Sequence, residues 1–289
     1  MIGIVGGNGF LGKRLSKFLL KKRIVHKTIG RKNCDLKIDF FNDNPDQFKN
    51  LNFHFDTIVN VAALTDVDYC EENKEESFKS NVLLVKKLMN FFSSFEKKPN
   101  FIHFSTDQVY WGRGFQSEGN GSYGNYYSKC KLLSEEEAKK FKSVILRTNF
   151  FGKSFSKKDS FTDWIYKNYK EKNKFYAYGN IFFNPLFVET LLENLNLIIK
   201  KPIPGIYNLG SKNGISKSEF IKNFSSNLGF ELNYEEIDYK SSFSLANRPF
   251  DMRMDVSLFE ETYKINLPNL EEEIKKSIKE YTWKSSIKE

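Results

Sequence analysis

Cysteine is scarce in this 289-residue chain. Cys34, Cys70 and Cys130 are odd in number, widely spaced and without a CxxC pair, which excludes a disulfide framework and gives no zinc site. A reducing compartment is expected. Histidine is equally sparse: His26, His54 and His103 sit in or beside apolar runs at no metal-ligand spacing, so no metal is assigned. No segment approaches the roughly 18 uninterrupted apolar residues of a membrane helix. The opening Met-Ile-Gly-Ile-Val runs straight into a strand pattern, with no basic region and cleavage site before it. A cytoplasmic protein with no membrane partner is expected. Positive charge is present, +9 in all, but it is not concentrated. The lysines are scattered over amphipathic helices and read as solvated faces, not as a nucleic-acid footprint.

What the chain does have is apolar content and rhythm. Hydrophobic residues make up 40% and phenylalanine alone numbers 29, enough for a substantial core. Short apolar strands are expected at Ile2 to Val5, Ile24 to Ile29, Thr57 to Val61, Phe101 to Ser105 and Val144 to Leu146. Helices alternate with them. Leu11, Leu15, Phe18 and Leu19 form one 3.6-period stripe, and Phe78, Val82, Val85, Met89 and Phe92 form another. Alternation of this kind predicts a doubly wound parallel α/β sheet over residues 1–150, with its ligand crevice at the carboxyl ends of the strands. After about residue 150 the rhythm changes. Residues 151–289 are expected to form mainly a smaller α/β lobe, with strands at Ile206 to Leu209 and near Leu232 to Ile237, although the chain can cross back to the first domain. Val188, Leu191, Leu192, Leu195 and Ile198 mark a helix there. Another is opened by Ser216 and Glu219 at capping-box spacing and stopped by Gly229.

The first strand runs into Gly6-Gly-Asn-Gly9-Phe10-Leu11-Gly12, placed where a helix begins. Gly6 permits the tight turn, Gly9 lets backbone approach a pyrophosphate, and Gly12 lets the helix pack closely on the sheet. Strand, glycine turn and helix together predict a Rossmann dinucleotide site, with the diphosphate at the helix N-terminus. The second strand ends in Gly30-Arg31-Lys32 and not in the acid that reads a ribose 2′-hydroxyl. Arg31 suits a 2′-phosphate, so NADPH is expected, with NADH possible. Asp39 and Phe40 are placed to meet the adenine edge and face.

Tyr127 and Lys131 stand four residues apart at the start of a predicted helix, one turn apart on one face. Lys131 is expected to lower the phenol pKa and hold the cofactor ribose, with Tyr127 as the proton donor. Tyr123 and Tyr126 lie nearby, but only Tyr127 has a lysine four residues on. The strand Phe101 to Ser105 ends in hydroxyls at the sheet edge, where Thr106 can donate to the same carbonyl oxygen.

With these motifs the chain resembles the extended short-chain dehydrogenase/reductases, and within them the dTDP-4-dehydrorhamnose reductases. The resemblance spans nearly the whole length. It rests on the Gly6 to Gly12 turn, Asp39-Phe40, Asn60 to Asp68 with Glu71, Ser105-Thr106-Asp107, Tyr127 with Lys131, Arg147-Thr148, Ala246 to Pro249 and Met254-Asp255. It implies reduction at C4 of a nucleotide-linked 4-keto-6-deoxyhexose, as in deoxysugar and cell-surface polysaccharide synthesis. Ala62, Ala63 and Leu64 would line the cofactor cleft. Thr106, Asp107, Gln108, Phe150 and Arg248 would face the substrate, and a homodimer is possible. Gln108, Trp111 and Phe150 depart from the residues usual in that family, which leaves the sugar and its stereochemistry open. Two other readings share the fold: an epimerase or dehydratase that retains NAD, and a non-catalytic NADP-binding subunit.

Overall fold

The computed structural model describes residues 1–42, 47, 54–240, 242 and 244–282. Seven parallel strands form one sheet: β1 (Ile2–Val5), β2 (His26–Gly30), β3 (Leu36–Lys37), β4 (Thr57–Asn60), β5 (Asn100–Phe104), β6 (Val144–Thr148) and β7 (Gly205–Leu209). Their spatial order is β7-β6-β5-β4-β1-β2-β3. The winding reverses between β1 and β4, so the crevice expected of such a sheet opens at Gly6 and just beyond Asn60. Residues 2–5, 57–60 and 144–148 are buried throughout, as a sheet covered on both faces requires.

The long helices are α1 (Phe10–Lys21), α2 (Leu84–Ser93), α3 (Tyr126–Lys139), α4 (Phe161–Glu171), α5 (Val188–Lys200), α6 (Lys217–Leu228) and α7 (Leu270–Ser277). Ser216 caps α6 by accepting from the Glu219 N–H, and Gly229 ends it at φ 72, as the spacing predicts.

Three expectations need correction. The second strand starts two residues late, because Arg23 turns the chain at φ 57 and the Ile24 N–H returns to the Leu19 carbonyl. The helix read from Phe78 onward is interrupted by one π-helical turn, Lys79–Leu83, before α2 begins. Residues 205–209, expected in the second lobe, extend the first sheet by pairing with β6. Apart from this sheet, the short strands Phe175–Tyr178 and Tyr234–Ile237 pair in parallel, and Phe182–Phe183 pairs antiparallel with Ile215–Ser216. One hydrophobic cluster runs from Leu15 and Leu146 to Phe151, Phe183, Phe220 and Ile274.

Beneath the crevice lies a buried ion pair. Arg147 on β6 donates through Nε and Nη2 to the two carboxylate oxygens of Glu135 on α3, at 3.0 and 2.7 Å. Ser105, at the end of β5, donates to the same carboxylate. Arg147 Nη1 reaches the Tyr110 hydroxyl, which donates in turn to Asn208 on β7. Glu135 and Arg147 are only 1% and 3% exposed, so losing one partner strands the other's charge or hydrogen bonds in the core. Replacing Arg147 by Met should therefore cost about 3–5 kcal/mol of unfolding free energy. Urea titration checks this, and a loss below about 1 kcal/mol would show that the pair carries little of the fold.

Candidate active site

The glycine turn is built by contact. At Gly6 the backbone φ is +89, and a Cβ would fall 2.7 Å from the Ala62 nitrogen. At Gly12 a Cβ would lie 2.3 Å from the Gly6 carbonyl oxygen. Gly7, which the sequence reading did not single out, is equally constrained, since a Cβ there would meet Thr28 at 2.6 Å. Gly9 differs: it has ordinary extended dihedrals, φ −70 and ψ 174, and its Cβ would meet only Gly6 O at 3.5 Å. Nothing in the protein requires glycine at position 9. Among the described residues no side chain caps α1 either, so the N–H groups of its first turn are left without a side-chain acceptor. A phosphate group fits such a cradle.

The walls follow. Ala62 donates its N–H to Asn60 Oδ1, and Leu64 is held at both N–H and C=O by the Asn81 side chain, at 2.9 and 3.0 Å. Asn81 sits in the π turn, a distortion that points one polar residue at the loop after β4. Ala63 is exposed. Leu11 is buried in the core, so only its backbone is available to a ligand. Phe10 packs against Phe150 with ring centroids 5.3 Å apart, joining the cofactor turn to the substrate side. Arg31 is exposed beside this turn, and Asn8 hydrogen-bonds the neighbouring Lys32 carbonyl. The adenine expectation fails at Phe40: its ring goes into the core and meets Phe91 edge-on at 5.7 Å. Burial of an aromatic on the apolar side of the sheet outweighs its use as a stacking face. Asp39 accepts from the Phe41 N–H and closes its own turn.

The catalytic candidates do converge. Asn125 caps α3 in a reciprocal box with Ser128, and the Tyr126 N–H donates to Glu71 at 2.8 Å, which fixes the first turn of the helix. Tyr127 is thereby held against Val67, Cys70 and Ala246, only 6% exposed, with Thr106 beside its phenol. Burial pushes the phenol pKa well up; the Thr106 hydrogen bond opposes this, and Asp107 adds to the rise. Lys131 contributes no lowering, contrary to expectation. Its Nζ donates to the Phe104 carbonyl at 2.6 Å, and burial brings its own pKa down to about 8. Asp107 accepts from Asn149 at 2.6 Å and from Thr106 at 3.2 Å, and burial raises its carboxyl to about 6.

A second polar chain runs beneath Lys131. His103 lies between Asn60 and Ser134, at 3.2 and 2.9 Å, and Ser134 donates to the Lys131 carbonyl. Burial holds this histidine neutral. On the substrate side, Arg248 reaches Asp68 at 2.7 Å and Asp68 also takes the Ala246 N–H, so the 246–248 loop is pinned over Tyr127. Gln108 leaves its Oε1 buried without a partner among the described residues. The Trp111 indole N–H donates to the Gln108 carbonyl and its ring lies on Gly124, where a Cβ would come within 2.4 Å.

The family model for the RmlD substrate binding domain matches residues 1–283. The chain belongs to that family. A dTDP-4-dehydrorhamnose reductase of Escherichia coli is 25% identical over 78% of this chain and 79% of its own length. A probable low-salt glycan biosynthesis reductase of Haloferax volcanii is 23% identical over 94% and 95%. A spore coat polysaccharide biosynthesis protein of Bacillus subtilis matches over only 57% of this chain and 58% of its own. Among solved structures, a Bacillus anthracis dTDP-4-dehydrorhamnose reductase in complex with NADP superposes with a TM-score of 0.85, at 22% identity, covering 96% of this chain and 98% of that one. The resemblance carried by the motifs and the doubly wound fold are borne out.

Asn81, Asn149 and Gly7 escaped the sequence reading, and His103 was read there only as a histidine without a metal role. Each is a single residue whose partner lies far along the chain, so only the glycine had a local signal, its place inside the turn.

The contrast between the glycines gives a test. Gly9→Val should fold, at a cost on the order of 1 kcal/mol, yet lose NADPH binding. Fluorescence titration beside thermal melting checks this; NADPH binding at parental affinity would refute the cradle.

Proposed function

We propose that this protein is an NADPH-dependent reductase of the 4-keto group of a nucleotide-linked 6-deoxy sugar. The observation that carries the reading is the meeting of Tyr127 with Thr106 at the carboxyl end of β5, across the crevice from the uncapped N-terminus of α1. The family membership and the NADP-bound structural relative support it.

Gly6 to Gly12 would hold the diphosphate of the dinucleotide, Arg31 its 2′-phosphate, and Lys131 the nicotinamide ribose. Bound there, the nicotinamide supplies the hydride for the carbonyl carbon. The protein's own part is the proton. A phenol whose pKa is raised by burial stays protonated at neutral pH, so it holds the proton that the carbonyl oxygen takes up as hydride arrives, although the rise makes it a weaker acid. Thr106, whose hydroxyl donates to Asp107 in the structure, would turn that hydroxyl proton to the same oxygen and orient it. Val67, Cys70 and Ala246 close water out around the phenol, so the developing alkoxide meets a positioned donor in a medium of low dielectric.

Tyr127→Phe should lower kcat by about 10²- to 10⁴-fold while NADPH affinity stays at the parental value. An assay of NADPH oxidation on dTDP-, UDP-, GDP- and CDP-linked 4-keto sugars reads this, and near-parental turnover would sink the assignment. Turnover of a nucleotide sugar with no added nicotinamide would instead identify an enzyme that recycles retained NAD. Arg31→Glu should weaken NADPH about tenfold or more, the size of a lost charge-assisted hydrogen bond, and leave NADH little changed. Equal losses for both cofactors would remove Arg31 from the 2′-phosphate site.

A further inference from the structure

The short turn that carries Arg31 has an anchor of its own. β2 and β3 pair in parallel, Ile29 with Leu36 and Gly30 with Lys37, yet residues 31–35 alone join them. Parallel neighbours ordinarily need a crossover of about a dozen residues or more. So short a connection has to fold back on itself. Asn33 takes the left-handed conformation at φ 51, which asparagine tolerates, and the Ile38 N–H returns to the Gly30 carbonyl at 3.0 Å. Cys34 closes over Gly30, where a Cβ would come within 3.0 Å of its Sγ.

Asp35 holds this turn to the strand. Its Oδ2 takes the Thr28 N–H at 2.8 Å and the Thr28 hydroxyl at 2.7 Å, and the Asp35 N–H donates back to that hydroxyl at 2.9 Å. The same Thr28 supports the glycine turn, since a Cβ on Gly7 would meet its Cβ at 2.6 Å and its Cγ2 at 2.7 Å. Asn8, the next residue, hydrogen-bonds the Lys32 carbonyl. The turn read as the diphosphate site and the turn read as the 2′-phosphate site are thus fixed to one residue of β2 and to each other. Arg31 itself is exposed and, among the described residues, has no hydrogen-bond or ion-pair partner, so its place is set by the backbone that carries it.

We propose that Asp35 is a positioning residue for cofactor choice: clamped to Thr28, it sets the turn that carries Arg31 against the glycine turn, so that Arg31 meets the 2′-phosphate of a dinucleotide whose diphosphate lies at α1. This rests on the NADPH reading of Arg31. Charge and geometry pull in opposite directions here. A carboxylate near a 2′-phosphate repels it, so an acid acting only through its charge would improve NADPH binding when removed, whereas an acid acting through the clamp would weaken it. Nothing in the sequence marks Asp35, because its partner lies seven residues back across a turn.

The test is fluorescence titration with NADPH and NADH, beside thermal melting, of the parent, Asp35→Ala, Asp35→Asn and Thr28→Val. Asparagine removes the charge and keeps an acceptor for both Thr28 groups; alanine removes both charge and acceptor. Asp35→Ala should weaken NADPH on the order of fivefold, as expected for one or two lost hydrogen bonds, and leave NADH unchanged. Asp35→Asn should bind NADPH at least as tightly as the parent. Thr28→Val, which loses only the hydroxyl, should shift the NADPH preference in the same direction as Asp35→Ala, and it decides by the same criterion if the alanine variant melts far below the parent. Unchanged or tighter NADPH binding in Asp35→Ala would overturn the proposal. So would equal losses for both cofactors, which mark damage to the nucleotide site as a whole. A parent that binds NADPH and NADH equally would refute the reading of Arg31, and the proposal with it; a parent that prefers NADPH while Asp35→Ala keeps the full preference would remove the clamp alone.

Discussion

The site depends on a buried charge pair that takes no part in the chemistry. Glu135 lies one turn beyond Lys131 on α3, and Ser105 directly precedes Thr106. The Glu135 carboxylate, held bidentately by Arg147 from β6, takes a hydrogen bond from Ser105 as well. One interaction therefore fixes the register of the helix that carries Tyr127 and Lys131 against the strand end that carries Thr106. It also reaches β7 through Tyr110 and Asn208, so the strand returning from the second lobe is tied to the same anchor. Buried ion pairs are poor sources of net stability, but they tolerate few alternative arrangements. Here that intolerance sets how Tyr127 and Lys131 sit against Thr106.

Around this anchor the polar groups divide by environment. Burial keeps the Tyr127 phenol protonated, brings Lys131 down to about 8 and brings Asp107 up to about 6. All three shifts favour the neutral form, as a cleft of low dielectric demands. In the structure Lys131 spends its hydrogen bond on the Phe104 carbonyl, so its expected influence on the phenol is not expressed there. The neutral His103 and its partners Asn60 and Ser134 connect the backbone beside the cofactor cleft to the backbone at Lys131. The loop after β4 is thus joined through this polar chain to α3.

The sequence by itself determined what is local. Gly6 and Gly12 are dictated by a turn whose backbone leaves no room for a Cβ, and such a turn is written in consecutive residues. The four-residue spacing of Tyr127 and Lys131 and the capping of α6 by Ser216 are likewise set within one helical turn. Only the tertiary structure decided the rest. It placed residues 205–209 in the first sheet and sent Phe40 into the core, and it turned Trp111 onto Gly124. It also set Asn81 against Leu64. Each outcome joins residues tens of positions apart, or chooses between burial and exposure. Periodicity and spacing carry no information about which distant partner will lower the free energy most; packing and desolvation decide that once the chain is folded.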